Sequence, residues 1–128
     1  MWDLGEELEA KAREVVDAGF QVHRELGPGL LERVYESALV HELGLRGLRV
    51  QRQIQVPVLY KGIALEDPLR LDLLVEGAII IEIKSLETIL ALHKAQLLSY
   101  LRLSGLHLGF LMNFNVPIFK DGIRRIIH

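Results

Sequence analysis

The stretch from Leu71 to Lys84 reads LDLLVEGAIIIEIK and organises the centre of the chain. It contains two short runs rich in Leu, Ile and Val, joined at Glu76 and Gly77. Two such runs separated by a turn signal are typical of an antiparallel β-hairpin. A turn centred on Gly77 places Asp72 directly opposite Glu82.

Side chains alternate between the two faces of a strand, so the same stretch predicts how the hairpin is buried. One face is purely apolar and consists of Leu71, Leu73, Val75, Ile79, Ile81 and Ile83. The other face carries Asp72, Glu82 and Lys84, all at the end away from the turn. The first face is therefore the predicted core, and the charged end of the second is the predicted site.

Two opposed carboxylates destabilise a hairpin unless a cation compensates them, because directly opposed Cβ atoms are about 4.5–5.5 Å apart. Lys84 supplies one positive charge, and a divalent metal such as Mg²⁺ would supply the rest, since it accepts one or two protein carboxylates plus substrate phosphates. In the alternative interpretation, the register slips and Asp72 and Glu82 sit at solvated strand ends. Lys84 then makes a surface salt bridge worth about 0–1 kcal/mol.

The composition predicts one domain, residues 1–128, in which an N-terminal helix (1–26) precedes a core that carries the motifs (27–128). The chain of 128 residues is 50% hydrophobic, yet it has no apolar run of the length, about 20 residues, that a membrane span needs. This apolar content favours a homodimer as one way to cover surface. The absence of Cys excludes disulfides and thiolate sites and fits the cytoplasm. The acidic N-terminus does not resemble a signal peptide.

The charge balance gives weak guidance about partners. The chain has 15 Lys and Arg against 17 Asp and Glu, a net charge of −2. A nucleic-acid-binding domain is often basic overall, so this balance counts mildly against such a partner. Five basic residues nevertheless cluster in the first half of the sheet region: Arg46, Arg49, Arg52, Lys61 and Arg70.

Hydrophobic periodicity predicts three helices. The first runs from Leu4 to Leu26, and Gly27-Pro28-Gly29 ends it. The second runs from Leu30 to Leu43, and the third, rich in Leu, from Thr88 to Ser104. We expect the inward residues of the second helix to be Leu31, Val34, Ala38 and Leu39, and those of the third to be Leu97, Leu98 and Leu101.

The remaining segments predict strands. Leu48 to Tyr60 alternates and is rich in β-branched residues, and Pro57 confines it to an edge or a bulge. Strands at Leu106 to Phe114 and Ile123 to Ile127 follow the third helix. The resulting order predicts an α/β sandwich with a central mixed sheet flanked by helices, in which the third helix is the crossover.

Two further groups of polar residues lie on helices. Glu32, Tyr35 and Glu36 share one face of the second helix, and Glu32 also suits the helix dipole at its N-terminal end. On the third helix Gln96 and Tyr100 share a stripe with His93. These residues either complete a metal site from both sides of the hairpin or are half-buried structural residues. A lone His such as His23 is more often structural than a ligand.

Two opposed acids, a nearby Lys and a helix Glu suit phosphodiester hydrolysis. That reaction needs a metal to neutralise the phosphate and to lower the pKa of an attacking water, and a cation to stabilise the developing charge.

The same residues resemble known families. Asp72 with Glu82-Ile83-Lys84 resembles the core motif of the PD-(D/E)xK nuclease superfamily, with Leu71 where some members have Pro. Gln96 to Tyr100 is similar to the QxxxY motif of its RecB-like branch. Gly29 to Tyr35, GLLERVY, resembles the signature of the GxxExxY family, which is placed in that superfamily.

The resemblance implies a restriction-endonuclease-like fold and Mg²⁺-dependent or Mn²⁺-dependent nuclease chemistry. It implies Asp72, Glu82 and Glu32 as metal ligands and, together with Lys84, as the catalytic set. Gln96, Tyr100, Tyr35 and Glu36 would support them. Whether Glu32 or Glu36 faces the metal stays open.

Two functions of different classes follow. The first is a metal-dependent nuclease acting on DNA or RNA. The second is a non-catalytic module that uses the same fold to bind nucleic acid or another protein. Retention of the two opposed acids and Lys84 favours catalysis, because a scaffold has no use for opposed acids.

Overall fold

A computed structural model describes residues 4–128 of the chain. Within these residues the α-helices are α1 (Glu6–Leu26), α2 (Glu32–Leu45) and α3 (Ala91–Ser104). A short 3₁₀ helix spans Phe119–Asp121. The strands are β1 (Val50–Val56), β2 (Leu59–Tyr60), β3 (Ile63–Ala64), β4 (Leu69–Val75), β5 (Ile79–Lys84), β6 (Leu108–Asn113) and β7 (Ile123–Ile127).

The strands form a five-stranded sheet in the order β1-β4-β5-β6-β7, and β2 and β3 form a separate two-stranded hairpin. β5 and β6 are parallel and are joined through α3, whereas the other neighbouring pairs of the main sheet are antiparallel. This arrangement confirms the predicted α/β sandwich with a mixed sheet and a crossover helix.

The hairpin has the predicted register. Leu73 pairs with Ile81, Leu74 with Ile80 and Val75 with Ile79, so the turn is centred on Gly77. Its strands lie at the centre of the sheet, between β1 and β6. The interpretation in which this register slips is therefore wrong.

Helices cover both faces of the sheet. On one face α1 and α2 pack against a large apolar cluster that includes Val15, Tyr35, Leu73 and Ile81. On the other face α3 packs through Leu97 and Leu101 on a smaller cluster. The hairpin is thus covered from both sides, which holds its charged end in one place.

Leu71 is buried as predicted, but it does not share a face with Leu73 as predicted. Leu71 packs with Ile80 in the smaller cluster on the α3 side, whereas Leu73 belongs to the cluster beneath α1 and α2. Strict alternation would put Leu71 and Leu73 on the same side. Regular pairing is interrupted at Asp72, between them, and the side-chain alternation changes there.

Several element details also differ from the prediction. The segment from Leu48 to Tyr60 is two strands, because β1 stops before Pro57, which cannot donate to a ladder. β1 is an edge strand, as Pro57 indicated. Leu31, Val34 and Leu98 are exposed rather than inward. α2 begins only at Glu32, and its buried stripe is formed by Tyr35, Glu36, Leu39 and Leu43.

The first three residues of the predicted N-terminal helix lie outside the described residues. Within 4–128, no helix combines the length and the apolarity that a membrane crossing requires. The homodimer and the cytoplasmic location stay predictions from composition.

Candidate active site

The carboxyl groups of Asp72 and Glu82, here called the acid pair, lie at the end of the hairpin. There they accept hydrogen bonds from backbone amides in place of the carbonyl groups of a regular ladder. The Asp72 amide donates to Glu82 Oε2 at 2.9 Å. The Ile83 amide donates to Asp72 Oδ2 at 2.8 Å. Each carboxylate therefore caps the backbone of the opposite strand, and the two acids face each other as predicted.

The acid pair is costly to ionise. Glu82 is only 4% exposed, and burial followed by the charge of Asp72 raises its pKa to about 8. Burial also raises the pKa of Asp72, although the hydrogen bond from the Ile83 amide opposes the rise. Desolvation and like charge both disfavour the ionised form, so the pair needs additional positive charge nearby.

Lys84 is the nearest predicted source of that charge. It ends β5, opposite Asn113 of the parallel strand β6. Its charge lowers the pKa of both Asp72 and Glu82, but burial outweighs it. Within residues 4–128 Lys84 forms no salt bridge of 4.0 Å or less, so its ammonium group is available to a bound ligand and the predicted surface salt bridge is absent.

Glu36 lies close enough to the acid pair for its charge to raise the pKa of both members. It is 8% exposed. Its Oε2 accepts from Arg52 Nε and Nη2, at 3.1 and 2.9 Å, and its Oε1 accepts from Gln53 Nε2 at 2.7 Å. Both oxygens of Glu36 are thus occupied by residues of β1.

Glu32 differs from Glu36 in being exposed. Its charge also raises the pKa of Asp72, so it lies on the same side of the molecule as the acid pair. No hydrogen bond from residues 4–128 occupies its carboxylate. Of Glu32 and Glu36, Glu32 is therefore the one free to bind a ligand.

Tyr35 serves the loop before α2 rather than the acid pair. Its hydroxyl donates to the Gly27 carbonyl oxygen at 2.6 Å and accepts from the Leu30 amide at 3.1 Å. Its fully buried ring stacks on Phe114, with ring centres 4.6 Å apart. The Ser85 hydroxyl donates to the Leu30 carbonyl oxygen at 2.8 Å, which joins the same loop to the segment after β5.

From α3, Tyr100 approaches the acid pair. Burial, and then the charges of Glu82 and Asp72, raise its pKa, while an interaction with the Gln96 side chain opposes the rise. Tyr100 therefore lies within electrostatic range of the acid pair, and Gln96 lies beside Tyr100. His93 does not take part, because its Nδ1 accepts from the Leu90 amide at 2.9 Å in the first turn of the helix.

Four residues that shape the site are not predicted from the sequence. Arg52 and Gln53 hold Glu36, and Ser85 holds the loop before α2. Asn113, 1% exposed, binds both the amide and the carbonyl of Leu86 through its side chain, at 2.9 Å each, and so fixes the segment after Lys84. A polar residue closing the apolar run LHLGFLMNF was the available signal for Asn113.

His23 has a structural role, as its isolation suggested. Its Nε2 lies 2.7 Å from the Val116 carbonyl oxygen, and its ring stacks on Phe119 with centres 5.3 Å apart. It therefore fastens the C-terminal end of α1 to the connection between β6 and β7.

The acid pair fits a hard cation that brings most of its own ligands. No three His, Asp or Glu side chains in residues 4–128 lie close enough together to hold a metal ion by themselves. Asp72 Oδ1 and Glu82 Oε1 nevertheless accept no hydrogen bond from those residues. Mg²⁺ commonly uses one or two carboxylates and completes its shell with water and substrate phosphate, and the two free oxygens suit that mode.

A comparison with protein-family models gives one match over most of the chain. The model described as the PD-(D/E)XK nuclease superfamily matches residues 9–126. The matched range contains the acid pair, Lys84 and the α2 and α3 residues that approach them. The comparison with curated proteins gives no match.

Proposed function

We propose that this chain, which belongs to the PD-(D/E)XK nuclease superfamily, is a divalent-metal-dependent nuclease that hydrolyses phosphodiester bonds of DNA or RNA. Membership of the superfamily supports a nuclease-type function and contact with nucleic acid. The observation that carries the proposal is the buried acid pair, whose pKa values are raised and which no salt-bridging cation among residues 4–128 neutralises. A metal bridging to phosphate would supply the missing charge.

In this proposal Asp72 and Glu82 hold Mg²⁺ or Mn²⁺ directly, and Glu32 completes the metal site from α2 through a water molecule. The first two contribute the oxygens that the backbone amides leave free, and Glu32 contributes a carboxylate that no side chain occupies. When bound, the metal neutralises phosphate charge and lowers the pKa of an attacking water. The two carboxylates of the acid pair are held in a fixed orientation, because each accepts a hydrogen bond from a backbone amide of the opposite strand.

Lys84 acts in the proposal as the cation that faces the scissile phosphate. Its free ammonium would orient the attacking water or stabilise charge on the phosphoryl oxygens in the transition state. Gln96 and Tyr100 support the site from α3, where the Tyr100 hydroxyl lies in the field of the acid pair. They would orient water or phosphate beside the metal.

We also propose that the chain belongs to the GxxExxY group. Gly29 has φ of 98°, which favours glycine, and Tyr35 binds the backbone of the same loop. The first and last residues of the motif thus shape the loop before α2. Glu32, between them, makes no such contact and would be the residue that the motif presents to the metal.

The test is cleavage by purified protein of supercoiled plasmid DNA and of single-stranded RNA, each with Mg²⁺, Mn²⁺ or EDTA. We expect cleavage of at least one substrate with metal and none with EDTA. Lys84→Ala should lower the rate at least 100-fold, the effect typical of losing one charge-stabilising group. Lys120→Ala removes an exposed lysine of the 3₁₀ helix and should leave the rate unchanged.

Circular dichroism and the unfolding midpoint should show that Lys84→Ala keeps the fold. The proposal fails if no polynucleotide is cut with either metal, or if Lys84→Ala cuts as fast as the wild type.

The second candidate is a non-catalytic module that binds nucleic acid or another protein. It draws on the net charge of −2 and on the β2–β3 hairpin, where Leu59, Tyr60 and Ile63 are all exposed. It requires the acid pair to stay without metal. Binding that is equally tight with EDTA and with Mn²⁺, and no cleavage, would favour this candidate.

A further inference from the structure

The pairing between β1 and β4 skips one position, opposite Asp72. The residues on either side are paired, Arg52 with Leu73 and Ile54 with Leu71. Gln53 and Asp72 lie across from each other between these pairs and are not part of the ladder. On its other side Asp72 bonds to β5 through side chains, so it is released from regular pairing with both neighbouring strands.

Gln53 has an unusual backbone conformation at this position. Its φ is 50°, in the left-handed region that favours glycine. The two other non-glycine residues of the described chain with positive φ, Lys61 and Glu76, lie in turns, whereas Gln53 lies within a strand. A conformation of this kind persists only where the surroundings hold it.

Glu36 is the group that holds Gln53. The Gln53 side-chain Nε2 donates to Glu36 Oε1 at 2.7 Å, and the Arg52 guanidinium donates twice to Glu36 Oε2. Consecutive side chains in a regular strand point to opposite faces. Arg52 and Gln53 reach the same carboxylate, which the left-handed conformation at Gln53 makes possible.

At the acid pair, the interruption changes which face of the sheet the alternating side chains of β4 occupy. Leu73, on the turn side of Asp72, packs beneath α1 and α2, whereas Leu71, on the other side, packs against α3. The Asp72 side chain, at the point of change, reaches across to the Ile83 amide. The alternation would not change if β4 paired regularly along its whole length.

We propose that Gln53, held by Glu36, is a positioning residue that keeps the Asp72 carboxylate turned towards β5. Glu36 serves this purpose and is not a metal ligand. The consequence for metal binding rests on the proposed nuclease function, whereas the positioning itself does not.

The direct test is hydrogen exchange of single amides in metal-free protein, followed by NMR. Gln53→Leu removes the Gln53 hydrogen bond from β1 to Glu36. The backbone amides of Asp72 and Ile83 should then lose their carboxylate partners and exchange at least 10-fold faster. The Ile81 amide, within the regular ladder, should be unchanged. Gln55→Leu is the matched control, because Gln55 is exposed on the same strand and pairs regularly with Arg70.

A swapped pair tests the contact without removing its polarity. Gln53→Glu alone puts two carboxylates together and should speed exchange at Asp72 and Ile83. Adding Glu36→Gln reverses the donor and acceptor, retains an oxygen for Arg52, and should restore the wild-type rates. Failure of the double variant to restore them would contradict the proposal, and this comparison also decides the question if Gln53→Leu does not fold.

The functional consequence is measured as Mn²⁺ affinity by calorimetry. Gln53→Leu should bind Mn²⁺ about 10-fold more weakly, as is usual when a group that orients a metal ligand is lost, and Gln55→Leu should bind as the wild type does. Unchanged exchange at Asp72 and Ile83, or equal acceleration of every amide, overturns the positioning role. Changed exchange with unchanged Mn²⁺ affinity overturns its link to the metal.

A wild-type protein that binds no Mn²⁺ and cuts nothing would instead refute the proposed nuclease. The exchange rates of the single and double variants would still decide whether Gln53 positions Asp72.

Discussion

At the scale of a single residue, the fold buries the Glu82 carboxyl and so disfavours its ionised form unless a positive charge lies nearby. Glu82 lies 4% exposed at the end of a central strand, and one carboxyl oxygen is bound to the Asp72 amide. Its pKa of about 8 means that the folded protein holds the proton more tightly than the unfolded chain, whose reference value is 4.5. Between these values folding binds a proton.

This sign predicts that metal-free protein becomes less stable as pH rises from about 4.5 to about 8. Below that window both states are protonated at Glu82, and the penalty is absent. Because one pKa unit corresponds to about 1.4 kcal/mol, the loss should be on the order of a few kcal/mol. The measurement is the free energy of unfolding by urea in EDTA at pH 5 and pH 8.

Glu82→Gln is the matched variant, since it keeps the shape but cannot ionise. Its unfolding free energy should depend much less on pH, with the remaining dependence coming from Asp72 and the other ionisable groups. Mn²⁺ should raise the stability of the wild type most at pH 8. Equal pH dependence in the wild type and in Glu82→Gln would show that Glu82 is not the buried acid described.

At the scale of elements, the site depends on how closely the connection between β6 and β7 packs against the end of β6. The Gly122 carbonyl oxygen accepts from the Asn113 amide at 2.8 Å. A Cβ at Gly122 would overlap the Asn113 carbonyl oxygen and lie 2.9 Å from the Val116 side chain. Asn113 in turn holds Leu86, two residues beyond Lys84.

We therefore expect Gly122→Ala to lower the unfolding free energy by about 1–3 kcal/mol, the usual effect of overpacking. It should also lower nuclease activity by displacing the segment after Lys84. The control is Gly44→Ala, in a helical position of α2 where a Cβ meets nothing within 4 Å. That change should stabilise the protein by up to about 1 kcal/mol, because alanine favours helix.

The urea unfolding midpoints of the two variants test this prediction. Both replace glycine by alanine, but we expect Gly122→Ala to lower stability and Gly44→Ala to raise it. A Gly122→Ala variant as stable as the wild type would mean that the β6–β7 connection is looser than described.

At the scale of the whole molecule, a net charge of −2 has to be reconciled with a polyanionic partner. The acid pair, Glu32 and Glu36 concentrate negative charge where the phosphate is proposed to bind. A divalent metal would neutralise part of that negative charge. Affinity for nucleic acid should therefore depend on metal.

The prediction uses Lys84→Ala, which is expected to bind without cutting. Its affinity for a labelled oligonucleotide, measured by fluorescence anisotropy, should be at least 10-fold higher with Mn²⁺ than with EDTA. Asp72→Asn combined with Lys84→Ala should remove most of this difference. The affinity should fall as salt rises, since phosphate contacts release counterions. Equal affinity in Mn²⁺ and EDTA would support the non-catalytic module instead.

The sequence by itself determined the hairpin, its register and the opposition of Asp72 to Glu82. Two apolar runs around a glycine turn admit few pairings, and a one-residue slip would move every buried side chain to the wrong face. It also determined the order of helices and strands and the parallel pairing through α3. That Glu32 and Glu36 share a face of α2, and Gln96 and Tyr100 a face of α3, could also be predicted, since residues three, four or seven apart share a helix face.

Only the tertiary structure decided which way Leu71 points and what Glu36 does. Both depend on Gln53, whose left-handed conformation is held by a side chain 17 residues away in sequence. Local propensity predicts an ordinary extended glutamine there. The acid pair is thus a consequence of sequence pattern, whereas the orientation of its carboxylates comes from contacts between β1 and α2 that form only when the domain has folded.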